Sequence, residues 1–399
     1  MLFRERYGVF LCRRSKSRYS LLVHVALDGS DLATKKWDGT TVYARELLPR
    51  LAGHLAERGH DVTLYTPKEL HVSVPARTGI HISVIPGKRF WTQTVLSRAL
   101  FRFPPDLLFL PIQTVPLYRP RTLKVIATVH DLDFLEYPET YTWRNRFLLR
   151  WFTRVVARNA THLLAVSQTT KQAIERQYGR APGDITVVYH GVDRERFFEP
   201  SPAVKDAACR RVQETHGIPG GALLFVGALQ PRKNIGNLVT AFELLRARGR
   251  TEHLVIVSGH GWKEQRVLDR LERSPHRGAI HVLRNVPRDD LPALYWNAAV
   301  FILPSFSEGF GMPVLEAMAC GTPVVTSSTS ALAEVAGDAA LTVDPHEPAR
   351  IAEAIRTLLL DAPLRALYVD RGFRRAAQFS WEQSSRDTAS VIEAVSRRP

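Results

Sequence analysis

Short runs of apolar residues alternate along the chain with longer stretches in which apolar residues recur every three or four positions. The runs are typical of strands buried on both faces, and the longer stretches are typical of amphipathic helices that cover them. This alternation predicts an α/β fold with parallel, doubly wound sheets. The predicted strands are 21–27, 62–66, 81–85, 106–110, 123–129, 162–166, 185–189, 222–226, 254–257, 280–283 and 298–303.

The alternation is interrupted between residues 199 and 221, where proline, alanine and charged residues dominate around one short helical stretch. A chain of 399 residues is also too long for one small core. We therefore predict two sheet domains joined by a linker. The predicted divisions are a basic extension (1–20), a first domain (21–198), the linker (199–221), a second domain (222–378) and a final helical segment (379–399).

The net charge of +15 indicates an affinity for anions, which include nucleic acids, anionic lipid headgroups and phosphorylated small molecules. The three cysteines, Cys12, Cys209 and Cys320, are scattered, which argues against a disulfide framework and against a cysteine metal site. A reducing cytoplasm is therefore the expected compartment. No apolar run approaches the ~18–20 residues that a membrane-spanning helix needs.

The segment 303–325 contains the strongest candidate chemistry. Gly309 and Gly311 allow the backbone to approach a ligand closely, and a predicted helix over 312–319 presents free N–H groups to an anion. Glu308 and Glu316 lie eight positions apart and could bind hydroxyl groups of the same ligand. The alternative is a surface loop with two solvated glutamates.

Two further groups follow predicted strands. Arg232 and Lys233 lie on a turn between a strand and a helix, where a guanidinium and an ammonium suit a diphosphate. His130 follows the strand that ends at Val129. Ligands bind beyond the carboxyl ends of strands in such sheets, although a solvated turn and a structural histidine are the alternatives.

Residues 143–158 predict a basic amphipathic helix. We expect its apolar stripe to pack in the core and its basic stripe to be solvated, with contact to a membrane as the alternative. The apolar stripe contains Trp143, Phe147, Trp151 and Val155, and the basic stripe contains Arg150, Arg154 and Arg158.

The segment EGFGMPVLE, residues 308–316, resembles the E-x7-E motif of the family-4 retaining glycosyltransferases, which have the two-domain GT-B fold. The resemblance implies that Glu308 lies under the donor sugar and that Glu316 binds the ribose. It assigns the binding of sugar hydroxyls to the turn formed by Phe310, Gly311 and Met312. The following AMACGTPVV continues the family pattern.

Other parts of the resemblance lie elsewhere in the chain. PRKN, residues 231–234, resembles the family's phosphate-binding turn, which implies that Arg232 and Lys233 hold the donor diphosphate, although Ala228 replaces a common arginine. VHDLDFLEYPE resembles the segment whose histidine, here His130, contacts the donor sugar. Gly39 matches a glycine of the cleft loop, and Val286 matches the place where the nucleotide base docks.

One departure from the family pattern and one resemblance to another fold affect this interpretation. His190 replaces the common asparagine of the family's N-G-V-D segment. Asp131-Leu132-Asp133 imitates the D-x-D metal motif of the other large glycosyltransferase fold, but it lies far from the donor motif. We interpret it as unrelated to metal binding and expect no metal.

The resemblance therefore implies two Rossmann-like domains with a cleft between them and a final helix that packs back on the first domain. It predicts retaining transfer of a hexose, mannose or glucose, from a GDP- or UDP-sugar to a saccharide or lipid-linked acceptor, without a cofactor. The expected location is the cytoplasm, including the inner face of the plasma membrane, whose anionic surface is a candidate partner. A sugar epimerase or phosphorylase and a non-catalytic binder of nucleotide sugars are the alternatives. No nucleic-acid partner is expected, because no basic-aromatic module of the known kinds is present.

Overall fold

A computed structural model describes residues 22–35, 37–87, 90–259, 261 and 264–398. The predicted extension 1–20 and residue 21 of the first predicted strand lie outside the described residues. No helix within the described ranges combines the length and the apolar character needed to cross a membrane.

The described part of the first domain contains one sheet of seven parallel strands, β1 (His24–Asp28), β2 (Asp61–Thr66), β3 (Ile80–Val84), β4 (Leu107–Leu110), β5 (Lys124–Val129), β6 (His162–Ala165) and β7 (Ile185–Val187). Their order is β3-β2-β1-β4-β5-β6-β7. The helices are α1 (Gly39–Glu57), α2 (Ser97–Arg102), α3 (Asp133–Glu136), α4 (Trp143–Asn159) and α5 (Gln168–Tyr178). The first of these begins at a capping box, in which Asp38 and Thr41 bond each other's backbone N–H groups.

The second domain contains, among its described residues, a sheet of six parallel strands, β8 (Ala222–Val226), β9 (Leu254–Ser258), β10 (Ile280–Arg284), β11 (Ala298–Leu303), β12 (Val324–Ser327) and β13 (Leu341–Val343). Their order is β10-β9-β8-β11-β12-β13. The helices of this half of the chain are α6 (Pro202–His216), α7 (Ile235–Ala247), α8 (Glu264–Glu272), α9 (Leu291–Asn297), α10 (Met312–Ala319), α11 (Ser330–Ala336), α12 (Pro348–Leu360), α13 (Ala362–Ala376) and α14 (Trp381–Ser396). The predicted architecture of two doubly wound parallel sheets is confirmed.

The strand order of the second sheet explains the position of its functional loops. The order reverses between β8 and β11, so the chain leaves these neighbouring strands toward opposite faces and opens a crevice beyond their carboxyl ends. The turn after β8 carries Arg232 and Lys233, and the loop after β11 carries Glu308. Residues that lie 75 positions apart in sequence are thereby brought to one place.

The chain passes between the domains twice. In the stretch 199–221, α6 packs against α9, and its Val212 is buried in the second core. The final helix α14 packs against α1, and its Trp381 and Ile392 are buried in the core of the first domain. The two crossings lie close together, because Gly191, shortly before the first of them, is so near the start of α14 that a Cβ on it would overlap the backbone of Trp381.

The orientation of α4 differs from the prediction. The residues that face the core are Leu149, Thr153, Val156 and Ala157. The stripe that we expected in the core points to solvent, with Trp143, Phe147 and Trp151 all exposed. The prediction was wrong because both sides of this helix carry apolar residues, and the smaller ones fit the close packing against the domain.

Candidate functional site

Three charged side chains form a largely buried cluster beyond the ends of β8 and β11. Arg232 Nη1 lies 2.8 Å from Glu308 Oε2, and Lys233 Nζ donates a hydrogen bond to Glu308 Oε1. The hydroxyl of Ser305 donates a further bond to Glu308 Oε1 at 2.7 Å. Both Lys233 and Glu308 are buried. Buried charges need partners, and each of these is satisfied by the others.

The charges of the cluster depend on one another. Burial raises the pKa of Glu308, but the positive charges of Arg232 and Lys233 outweigh burial and lower this pKa to about 2. Burial lowers the pKa of Lys233, against the attraction of Glu308. Burial would also lower the pKa of Arg232, but the neighbouring carboxylates raise it. Glu308 is therefore a carboxylate held between two cations.

The first domain contributes Asp133 to this cluster. Arg232 Nη1 lies 3.0 Å from Asp133 Oδ2, and the hydroxyl of Ser307 donates to Asp133 Oδ1 at 2.7 Å. Burial and the nearby charge of Asp131 raise the pKa of Asp133 to about 7. Sequence analysis missed this contact, because its only signal was the D-x-D pattern that we set aside. Among the described residues, no group of three or more histidine, cysteine, aspartate or glutamate side chains could hold a metal ion.

His130 lies beside the cluster, where the two domains are in contact. Its Nε2 lies 2.8 Å from the carbonyl oxygen of Pro111, which can only accept, so Nε2 carries the hydrogen and Nδ1 of the neutral ring is an acceptor. Burial lowers the pKa of His130 and favours this neutral form. A Cβ on Gly309 would overlap the carbonyl oxygen of His130, so this close approach requires glycine.

The turn that begins α10 lies against the first domain. Gly311 has a φ of 100°, in the left-handed region, and directly precedes the helix. Phe310 is buried, and its ring centroid lies 4.6 Å from that of His190. The methyl group of Met312 would lie 3.6 Å from a Cβ on Gly39. The structure thus brings the predicted cleft glycine next to the predicted sugar-binding turn.

Two predicted site residues lie outside this group. Glu316 is half-buried on α10 and accepts a hydrogen bond from the hydroxyl of Tyr295 at 2.8 Å. Burial raises the pKa of Glu316. Val286 follows β10 and packs against the core of the second domain.

His190 is a buried histidine at the contact between the domains. Its ring lies 4.8 Å from that of Tyr43 and is stacked on Trp381 at 5.5 Å. The described residues provide no hydrogen-bond partner for either ring nitrogen. Burial lowers the pKa of His190 well below its usual value, so the ring is neutral.

Two family models match the two domains. The model "Glycosyltransferase Family 4" matches residues 37–196, and the model "Glycosyl transferases group 1" matches residues 215–375. The chain is 35% identical over 284 residues to O-antigen chain mannosyltransferase B of Escherichia coli, covering 70% of this chain and 72% of that protein. It is 37% identical over 247 residues to D-inositol 3-phosphate glycosyltransferase 2 of Catenulispora acidiphila, covering 58% of this chain and 56% of that protein.

Solved structures share the same fold. Sucrose-phosphate synthase from Thermosynechococcus elongatus superimposes with a TM-score of 0.72 at 18% identity, covering 93% of this chain and 98% of that one. Anabaena Alr3699/HepE in complex with UDP-glucose superimposes with a TM-score of 0.70 at 17% identity, covering 93% of this chain and 100% of that one.

Proposed function

We propose a reaction from one premise: this chain belongs to the glycosyltransferase family that the two models describe. The proposed reaction transfers a hexose from a nucleotide-diphosphate sugar to a saccharide or lipid-linked acceptor, retains the anomeric configuration and needs no metal. Mannose from GDP is the first donor to test, because one relative is named an O-antigen chain mannosyltransferase. Glucose from UDP is the second, because HepE was solved with UDP-glucose.

The observation that supports this proposal best is a pair of cations, the half-buried Arg232 and the buried Lys233, beside the buried carboxylate of Glu308. Arg232 and Lys233 lie beyond β8, at the point where the strand order reverses and ligands bind in open α/β sheets. A leaving diphosphate develops negative charge, and preorganised cations stabilise that charge without a metal. The N–H groups at the start of α10 would contribute in the same way.

The remaining residues would orient the sugar and the nucleoside. Glu308 would lie under the sugar and support the positive charge that develops at its anomeric carbon. Nδ1 of His130 would accept a hydrogen bond from a sugar hydroxyl. Glu316 would bind the ribose, and Val286 would lie near the base. The acceptor would approach on the face from which the phosphate departs, and a phosphate oxygen would accept its proton.

Donor binding would require the domains to separate. Lys233 is buried, and Arg232 is bonded to Asp133 of the opposite domain, so a diphosphate cannot reach both cations in this arrangement. The donor phosphates would replace Asp133 as the partner of Arg232. Closure over the bound donor would then exclude water and limit hydrolysis of the sugar.

The experiment is a panel of GDP- and UDP-sugars incubated with lipid-linked and free saccharide acceptors, with and without a chelator. Release of nucleotide that depends on the acceptor, insensitive to the chelator, is the expected result. The anomeric configuration of the product, determined by NMR, tests retention. Conversion of the nucleotide sugar without an acceptor would instead indicate an epimerase. Donor binding without turnover would indicate a non-catalytic binder.

A further inference from the structure

The outward face of α4 exposes three large aromatic side chains. The exposed fractions are 75% for Trp143, 67% for Phe147 and 44% for Trp151, and Leu148 beside them is 50% exposed. These aromatic residues follow one another at intervals of four positions, which places them on one face of the helix. Single exposed apolar residues are common on proteins, but a contiguous row of this size marks an interaction surface.

The aromatic row is not needed to hold α4 in place. Thr153, Val156 and Ala157 on the opposite face are buried against the domain. Thr142 caps the start of the helix by accepting a hydrogen bond from the backbone N–H of Asn145 at 3.3 Å. The helix is therefore anchored through its inner face. Among the described residues, the ring contacts of the aromatic row are to residues of the same helix, Arg144 beside Trp143 and Phe152 beside Trp151.

The same helix is strongly basic. It carries five exposed arginines and no acidic residue. Within the described part of the chain, none of these arginines lies within ion-pair distance of a carboxylate. They are Arg144, Arg146, Arg150, Arg154 and Arg158.

The charged and the aromatic residues occupy the same side of α4. At 3.6 residues per turn, the stripe of Arg150, Arg154 and Arg158 lies next to the stripe of Trp143, Phe147 and Trp151. A basic helix with aromatic residues at its apolar boundary is suited to the surface of a membrane, where rings sit among headgroups and arginines bind phosphates. The charge also argues against a second copy of this chain, since two such faces would repel each other.

An additional apolar cluster lies near the C-terminal end of α4. Tyr118 is 69% exposed, and its ring contacts Phe101 at a centroid distance of 4.5 Å. The adjacent Arg119 donates a hydrogen bond to the carbonyl oxygen of Asn159, the last residue of α4, at 2.7 Å. The exposed apolar surface thus extends beyond the helix itself.

We propose that the outward face of α4 docks this protein on a bilayer surface that carries anionic phospholipid headgroups. The membrane would then lie beside the candidate site. Tyr141, just before α4, packs edge-on against Phe134 at a centroid distance of 6.4 Å, and Phe134 follows Asp133 of the ionic cluster. A lipid-linked acceptor would be presented to the site from this surface. That last link rests on the proposed function, whereas the docking does not.

The test is cosedimentation of the full chain with vesicles, in the absence of nucleotide sugar and acceptor. Wild-type protein should bind vesicles of phosphatidylcholine and phosphatidylglycerol in equal parts, and it should bind pure phosphatidylcholine weakly. The triple variant Arg150→Gln, Arg154→Gln, Arg158→Gln should bind on the order of 100-fold more weakly. The variant Trp143→Ala, Phe147→Ala, Trp151→Ala should also lose binding, including the binding that persists at high salt.

The matched control removes the same charge from exposed arginines of the other half of the chain. Arg350→Gln, Arg374→Gln, Arg386→Gln should bind anionic vesicles as the wild type does, since these side chains are 74%, 66% and 56% exposed and lie outside α4. Equal losses in the control and the α4 variant would overturn the proposal, because nonspecific charge would then suffice.

Other outcomes separate the alternatives. Failure of the wild type to bind anionic vesicles would overturn the proposal. Binding of random duplex DNA through α4 without vesicle binding, or an α4-dependent dimer in sedimentation, would overturn it in favour of nucleic acid or of self-association. Vesicle binding without any sugar transfer would refute the proposed function alone. Unchanged thermal melting of the variants, whose altered side chains are exposed, would show that they fold.

Discussion

Replacing Glu308 with glutamine tests the ionic cluster while preserving its shape. Glutamine is isosteric, so it can keep the hydrogen bond from Ser305, but it removes the negative charge between Arg232 and Lys233. If Glu308 supports the reacting sugar while the two cations hold the diphosphate, this change should weaken catalysis and strengthen nucleotide binding. A substitution that merely damaged the fold would weaken both.

The expected magnitudes follow from the geometry. A phosphate bonded to the far side of Lys233 would lie two hydrogen-bond lengths, about 6 Å, from the Glu308 carboxylate. At an effective dielectric constant of about 20, their repulsion is about 3 kcal/mol, which the variant would lose. Nucleoside diphosphate should therefore bind roughly 10- to 100-fold more tightly to Glu308→Gln. Turnover should fall by about 100- to 1,000-fold, the usual loss when one electrostatic contributor is removed.

Titration calorimetry with GDP and UDP measures the affinity, and acceptor-dependent nucleotide release measures turnover. Glu243→Gln is the matched control, because Glu243 also pairs with an arginine, Arg270, in the same domain. It should change neither quantity. Nucleotide affinity that falls together with turnover in Glu308→Gln would refute the charge argument, and turnover near that of the wild type would refute the site.

Three other perturbations test separate parts of the structure. Replacing Arg232 and Lys233 together with methionine should weaken nucleotide binding by at least about 100-fold, given ~1.5–3 kcal/mol for each charged hydrogen bond; unchanged calorimetry would remove their assigned role. Gly309→Ala should hold the domains apart at the carbonyl oxygen of His130, raising the radius of gyration in X-ray scattering while each domain stays folded; unchanged scattering and turnover would contradict this. Burial lowers the pKa of His190, so below about pH 6.5 the unfolded chain takes up a proton that the folded protein does not. The free energy of unfolding therefore decreases as the pH decreases. His190→Asn should remove that contribution, so its melting temperature should decrease less than that of the wild type between about pH 7.5 and 5.5, and parallel curves would disprove it.

The fold could be predicted from the sequence because the strands of parallel sheets produce a recognisable local pattern of apolar residues. Strands buried on both faces are continuous apolar runs, and β8 (Ala222–Val226) and β11 (Ala298–Leu303) have the predicted bounds. The proximity of Lys233 and Glu308 follows from two facts that sequence analysis can supply, namely that each follows a strand and that ligands bind beyond strand ends. The roles of these residues in binding and catalysis remain predictions.

Contacts between the domains were harder to predict from the sequence. The bond between Asp133 and Arg232 depends on how two separately folded domains meet, and no local pattern encodes that geometry. The prediction of the orientation of α4 was wrong for a different reason. Periodicity identifies the stripes of a helix, but here Val156 and Ala157 on one side competed with Trp143 and Phe147 on the other. Size and fit to the neighbouring surface decided which stripe is buried.

The contact between the segment before the first crossing and the segment that leads into α14 would limit the direction of any separation of the domains. The segment at Gly191 lies against the backbone of Trp381, Val192 N–H bonds to the carbonyl oxygen of Phe379, and Ser384 bonds to that of Tyr189. Two domains joined by one connection could rotate about several axes, whereas two connections that lie side by side restrict the rotation to one hinge axis. Each opening and closing of the domains would then follow the same path. Residues at the hinge, far from the candidate site, would determine how often the two domains close in the correct alignment.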